Sequence, residues 1–324
     1  MTVYGGYIDD NGKLLESASG GIATALAEKM IFIGGYVAGV AYDSTYKNIE
    51  YVLINSFEEI QRLKGSKYAE SRKNGIYKKV KDLLAEGKQV LFIGLPCEVS
   101  ALKKVVGKEY DSLITCELIC HGPTSIKVHQ EYLSYLERKQ KSTIVDFNVR
   151  YKKHGWEPSY LRAVFANGAV FERPFYETEY GRAFAIMTRR ACFQCMFKDC
   201  NTDGDIMIGD YWGAKPGDPF WNDNGVSVIF VHNNKGQVYL DSLENIRLFE
   251  SDYDHAVKPN QNVITQRQLP YNYDKFAEQF AQHGLFYAVK RRMGMKKRLV
   301  AAVKHMIPAS ALPFIKKMYN AKFR

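Results

Sequence analysis

The sequence predicts an α/β fold: a mixed layered sheet domain with an inserted β-rich region and an appended basic helical C-terminal tail. Three observations predict it. Short apolar runs alternate with helical patterns through the first 140 residues, which is how helices layered on an at least partly parallel sheet read in sequence. Shorter strand patterns around a hairpin turn follow. The final stretch then turns basic and helix-spaced. With 324 residues and 46% hydrophobic content, the chain is large enough for a substantial core.

Residues 36–42, 51–55, 89–94 and 113–119 are short, apolar and rich in β-branched or aromatic side chains, as strands are. Residues 21–30, 74–86, 98–106 and 125–139 carry apolar positions at helical spacing. Residues 143–150 read as a strand. Residues 160–166 and 169–175 flank Asn167-Gly168, a dipeptide suited to a tight hairpin turn. A helix near 177–187 and strands at 205–209 and 226–232 complete the body. The chain thus divides into an α/β region (1–140), a β-rich region completing the same unit (141–262) and a basic helical tail (263–324).

The net charge is +10, but it is concentrated. After Glu278 there are eleven Lys or Arg and no acidic residue, which leaves 34 basic against 35 acidic residues elsewhere. The near-neutral body argues against nucleic-acid binding. A basic tail fits an anionic partner, such as a membrane surface. In the tail, Leu285, Phe286, Val289, Met293, Leu299, Val300, Val303, Met306 and Ile307 recur at near-helical spacing among the cations. That pattern fits either a peripheral membrane contact or a helix packed on the body. No apolar run is long enough to span a bilayer, and the first residues carry no secretory pattern. The expected location is therefore cytoplasmic, extending to the inner face of the membrane. There thiols stay reduced, so the cysteines read as ligands rather than disulfides.

The cysteines carry the sharpest chemical signal. Three are packed as Cys192-Phe-Gln-Cys195-Met-Phe-Lys-Asp-Cys200, and single cysteines stand at Cys97, Cys116 and Cys120. A C-x2-C pair turns two thiolates toward one centre, and distant thiolates close it. An iron–sulfur cluster and a structural zinc site both fit. Cys97 follows a strand and opens a helix, a position that favours the thiolate. Cys120 sits at a strand end and is the better ligand candidate; Cys116 suits the core. Cys200 is an alternative ligand.

Two polar loops read as anion sites. Residues 17–24, Ser-Ala-Ser-Gly-Gly-Ile-Ala-Thr, precede an Ala-rich helix. Serines and glycines at a helix start offer hydroxyls and open N–H groups to a phosphate; the plainer reading is a serine N-cap. Lys64-Gly65-Ser66-Lys67-Tyr68 holds two cations and a ring that can stack on a flat ligand, or is simply a solvated turn. Asp210 and Trp212, in Gly209-Asp-Tyr-Trp-Gly213, suit a planar heterocycle or a turn with core aromatics. His121 reads as a proton donor or as a hydrogen-bonding group beside the Gly122-Pro123 turn.

Taken in order, residues 17–24, 64–68, 94–97, 120–122, 192–195 and 205–213 resemble the beta-subunit family of coenzyme F-420 hydrogenases and dehydrogenases, which also includes 7-hydroxymethyl chlorophyll reductases. The resemblance spans roughly residues 3–260. It implies a flavin, FAD or FMN, beside a 4Fe-4S cluster, with electrons passing between them and hydride going to an organic acceptor. By the same resemblance, region 1–140 binds the flavin. Ser17, Ser19, Gly20, Gly21, Thr24, Gly65, Ser66, Lys67 and Tyr68, with Asp210 and Trp212, match flavin-binding positions. Cys97, Cys120, Cys192 and Cys195 match cluster ligands, with Cys116 or Cys200 as a replacement. Lys67 and His121 become candidates for substrate binding and proton supply.

Many bacterial relatives add an N-terminal ferredoxin-like domain. This sequence starts at the flavin-region pattern, so the resemblance implies a ferredoxin-like electron donor or partner subunit and a small-molecule acceptor. Such relatives often belong to surface-polysaccharide biosynthesis. The competing functions are a zinc-stabilised, non-redox binding or assembly protein, and an electron-transfer subunit without its own substrate.

Overall fold

The computed structural model describes residues 1–198 and 202–292. Its elements begin with β1 (Thr2–Ile8), α1 (Asn11–Glu16), α2 (Ile22–Phe32), β2 (Tyr36–Tyr42), β3 (Ile49–Ile54), α3 (Ile60–Leu63) and α4 (Ile76–Ala85). Next come β4 (Val90–Gly94), α5 (Pro96–Val106), β5 (Leu113–Leu118), α6 (Ile126–Gln140), β6 (Ile144–Tyr151), β7 (Tyr160–Phe165), β8 (Val170–Pro174) and α7 (Glu179–Phe184). The chain continues with β9 (Ile206–Asp210), β10 (Ser227–Val231), α8 (Asn234–Asp241), β11 (Ile246–Glu250), α9 (Tyr253–Val257), α10 (Tyr273–His283) and α11 (Leu285–Arg292).

The fold is α/β, as the sequence predicts. Eight strands make one mixed sheet in the order β11-β1-β10-β9-β5-β4-β2-β3. Its centre, β2-β4-β5-β9, is parallel. The flanking strands pair antiparallel. Strands from both sides of residue 140 share this sheet. The β-rich insertion is a separate three-stranded antiparallel sheet, β6-β7-β8, turned at Gly168 with φ +83°.

Burial explains the central strands. All five residues of β4 are buried, because helices cover both faces, and such strands read as continuous apolar runs. On one face Ile22, Leu26 and Met30 of α2 and Leu240 of α8 pack on Leu91, Ile114 and Cys116. On the other, Val80 and Leu84 of α4 and Val99 and Leu102 of α5 pack on Val90 and Phe92. Cys116 is fully buried among apolar side chains, in the core position expected of it.

A third core joins α6, α7 and α11 to the small sheet through Tyr132, Leu161, Phe184, Leu285 and Val289. The first turns of the basic tail therefore pack on the body, and Leu285 and Val289 are not free to face a membrane. Residues 293–324, with the rest of that stripe, lie outside the described residues, as does Cys200. Among the described residues no helix is long and apolar enough to cross a membrane. The helix expected over 177–187 is shorter: a 3-10 turn at Phe175–Glu177 precedes α7.

Candidate functional site

A cavity of about 350 Å³ opens at the carboxyl ends of the parallel strands, the usual place for ligands in such sheets. Gly94 after β4, Cys120 and His121 after β5, and Asp210 and Trp212 at the end of β9 line it. The loop before α2 and the loop after α3 supply the opposite wall. Of the residues expected from sequence, Ser17, Ser19, Gly21, Thr24, Gly65, Ser66, Lys67, Tyr68, Asp210, Trp212, His121 and Cys120 all line this one cavity.

Gly20 does not line it. A Cβ there would stand 2.4 Å from the Gly6 carbonyl oxygen and 2.5 Å from the Ser227 nitrogen, so glycine lets the loop lie against the sheet. Gly21, at φ +82°, is the N-cap of α2, with no side-chain cap. Its first-turn N–H groups lack intrahelical acceptors. The serines do not cap the helix. Ser17 Oγ donates to Lys13 O at 2.7 Å and Ser19 Oγ to Val226 O at 2.8 Å; their oxygens remain acceptors.

Buried cations shape both loops. Lys67 Nζ donates to the carbonyls of Arg62, Leu63, Lys64 and Gly65, at 2.7–3.3 Å. Burial lowers its pKa to about 7. Its ammonium is thus folded onto the end of α3 rather than presented to an anion. Lys152 Nζ holds the Leu14 and Ser19 carbonyls at 2.7 Å each. Arg150, two residues earlier and within β6, donates to Asp210 Oδ2 at 2.8 Å and to Ala18 O at 3.4 Å. It ties the loop before α2 to the end of β9. Lys152 and Arg150 carry no local sequence signal; only the fold brings them across some 130 residues.

The aromatic positions differ in use. Tyr68 stacks on Phe184 with centroids 4.6 Å apart, so one face is already taken. His121 stacks on the same ring at 4.7 Å. Trp212 is half exposed and donates from Nε1 to Asp210 at 3.3 Å. Burial first, and the Arg267 charge second, lower the His121 pKa to about 4. The imidazole is therefore neutral at pH 7, and any proton it supplies comes from a neutral N–H.

The cysteines gather beside the cavity. Cys97 lies in the first turn of α5, Cys120 just beyond β5, and Cys192 and Cys195 in and after a 3-10 turn at Arg190–Gln194. Cys97 lies within electrostatic reach of Cys192 and Cys195, and Cys120 within reach of Cys97 and Cys192. Cys120 Sγ accepts from the Gly122 N–H at 3.2 Å. A Cβ on Gly122 would stand 3.5 Å from Cys192 Sγ. Cys97 is solvent-exposed, yet desolvation by the protein around it, with the Glu98 charge adding, raises its pKa to about 11, against the thiolate expected from its helix position. Burial raises the Cys120 pKa to about 12. Among the described residues no group of three or more His, Cys, Asp or Glu side chains is placed to hold a single metal ion. Cys120 alone of the four lines the cavity, while Leu95 and Arg189, close in sequence to Cys97 and Cys192, line it too.

Fold and site define an α/β protein with a ligand cavity that one cysteine, Cys120, lines and near which three more stand. The chain belongs to the coenzyme F420 hydrogenase/dehydrogenase beta-subunit family: the carboxy-terminal part of that beta subunit matches residues 87–254, just over half the chain. That family makes it an oxidoreductase-associated electron-transfer protein. Its fold is similar to that of a chain in the F420-reducing [NiFe] hydrogenase complex from Methanosarcina barkeri, with TM-score 0.52 and 18% identity over 92% of this chain and 94% of that one. A search of the curated proteins finds no match.

Proposed function

We propose that the protein is an iron–sulfur flavoprotein oxidoreductase that passes electrons between a 4Fe-4S cluster and a flavin, FAD or FMN, for hydride transfer to a small organic acceptor. The observation that carries this reading is Cys120, which belongs at once to the cysteine group and to the cavity wall. Two cofactors held there share a boundary. When bound, a cluster supplies single electrons and a flavin couples them to hydride transfer.

This chain's own residues fit those groups. Cys97, Cys120, Cys192 and Cys195 are four soft donors from three segments, and a four-iron cluster does not need them to close on one ion. The open N-terminus of α2, with Ser17 and Thr24, offers N–H groups and hydroxyls to phosphate. Lys67, Lys152 and Arg150 fix the loops that frame the ring-sized space. His121, kept neutral, lines the cavity next to Cys120 in the chain. Segments 1–140 and 141–262 form one catalytic unit in this reading. A ferredoxin-like donor or partner subunit supplies electrons, the setting is cytoplasmic, and the inner membrane face and surface-polysaccharide biosynthesis are the context suggested by the basic tail and by relatives.

Reduced ferredoxin added without oxygen to the flavin-loaded protein should bleach the flavin. C120S should still bind flavin and lose that bleaching. Loaded wild-type protein that stays oxidised contradicts the reading.

A further inference from the structure

Lys198 follows Cys195 in the run Cys195-Met-Phe-Lys198. Its partly buried Nζ donates to the Cys120 carbonyl at 2.7 Å and to the Asn262 carbonyl at 2.5 Å. Cys120 and Asn262 both line the cavity, so the ammonium is pinned where the cysteine group and the cavity meet. Both acceptors are neutral. They orient the ammonium, which has three donors and no acceptor, without cancelling its charge. That charge reaches the thiols. Burial raises the Cys120 pKa, and the Gly122 N–H and the Lys198 charge oppose it. Burial also raises that of Cys192, against the Arg189 and Lys198 charges. Arg189 is half exposed and faces Glu70 at 3.6 Å, where solvent and the carboxylate weaken its field.

We propose that Lys198 is a positioning residue for the cluster: its ammonium, fixed behind Cys120, raises the cluster's reduction potential. The inference rests on the cluster reading above. A field that favours a thiolate over a thiol also favours a cluster carrying one more electron, since in each case the favoured state is one unit more negative. Cluster potentials follow the charge and hydrogen bonding around them. Lys198 thus stabilises an electron on the cysteine group beside the cavity. Its hydrogen bond to the Cys120 backbone also holds that segment in register with the Cys192–Cys195 segment.

The test is an anaerobic redox titration of the full-length, cluster-loaded protein, read by EPR of the reduced cluster, with iron measured on the same samples. K198M removes the charge. It should lower the cluster midpoint enough for a tenfold loss of reduced cluster at fixed ambient potential, about 59 mV for one electron. K198Q, which keeps an N–H donor for the carbonyls without the charge, should lower it alike, and it serves if K198M loses its iron. K198R, which keeps the charge, should hold the wild-type midpoint. An unchanged midpoint in iron-replete K198Q overturns the assignment, as does a drop in K198R equal to that in K198M, which would make Lys198 a structural clasp only. Both leave the cluster reading intact. Wild type without iron overturns both.

Discussion

Arg267 donates from its guanidinium to the His121 imidazole, 2.9 Å from Nε2, and to Thr188 Oγ1 at 2.8 Å. A cation facing a half-buried imidazole disfavours a second positive charge, and burial acts in the same direction. His121 should therefore remain neutral down to about pH 4. Because its folded pKa lies below the ordinary 6.5, the unfolded chain binds the proton first, and stability from this residue is lost as pH falls from 6.5 toward 4. NMR titration of the His121 ring should show this low midpoint, and R267Q should move it upward. A midpoint near 6.5 in wild type would contradict the geometry.

Arg150 is nearly buried, with Asp210 as its principal partner and Glu157 Oε1 at 3.1 Å. Removing the guanidinium strands the Asp210 carboxylate and frees the loop before α2. R150M should cost roughly 3–5 kcal/mol of stability, the range for breaking a buried pair, and should weaken flavin binding. R150K should not restore either, since an ammonium cannot span Asp210, Glu157 and Ala18 together. Denaturant melts of the variants check this.

Glu117 on β5 is fully buried; Thr202 donates to Oε2, and Oε1 has no partner. Burial raises its pKa to about 7, with Asp203 adding to the shift and Thr202, Gly204 and Lys103 opposing it. The sign follows from linkage. Between the ordinary 4.5 and 7 the folded protein holds a proton that the unfolded chain has released, so stability falls as pH rises through that window. E117Q removes the titration. It should melt like wild type at pH 4 and be more stable at pH 8 by about 1–3 kcal/mol. Parallel melts at the two pH values decide it.

Cys192 and Cys195 stand with Cys97 and Cys120, whereas Cys116 is packed in the core. C192S and C195S should lose the visible absorbance and the iron of anaerobically purified protein. C116A should keep both and lose only about 1 kcal/mol or a few from the small cavity left behind. Full retention of iron in C192S would remove it as a ligand.

The central fold was legible because its strands are buried on both faces. Residues 36–42 could be read directly as β2, and the strand and helix around Gly94-Leu95-Pro96 fell within a few residues of place. β1 was missed because Gly5 and Gly6 disguise it. Phe220 would lie 2.8 Å from a Cβ on Gly5, and the Arg247 carbonyl 2.7 Å from one on Gly6, so close packing requires residues that strands ordinarily avoid. β11 was missed because this edge strand has no fully buried residue.

The site was half legible for a related reason. Ser17, Gly21, Gly65 and Cys120 lie in loops whose composition is itself a signal. Lys67 gives the same signal and holds four backbone carbonyls instead. Arg150, Lys152 and Arg267 reach the site only through tertiary contacts, and nothing in their neighbours along the chain distinguishes them from ordinary surface polar residues.

The most direct test of the central claim is a visible spectrum of protein purified without oxygen, with iron, acid-labile sulfide, zinc and released flavin quantified per chain. The prediction is four iron and four sulfide, the content of one such cluster, together with about one flavin per chain. Zinc equal to protein, with neither iron nor flavin, would contradict it and leave a structural or assembly role in its place.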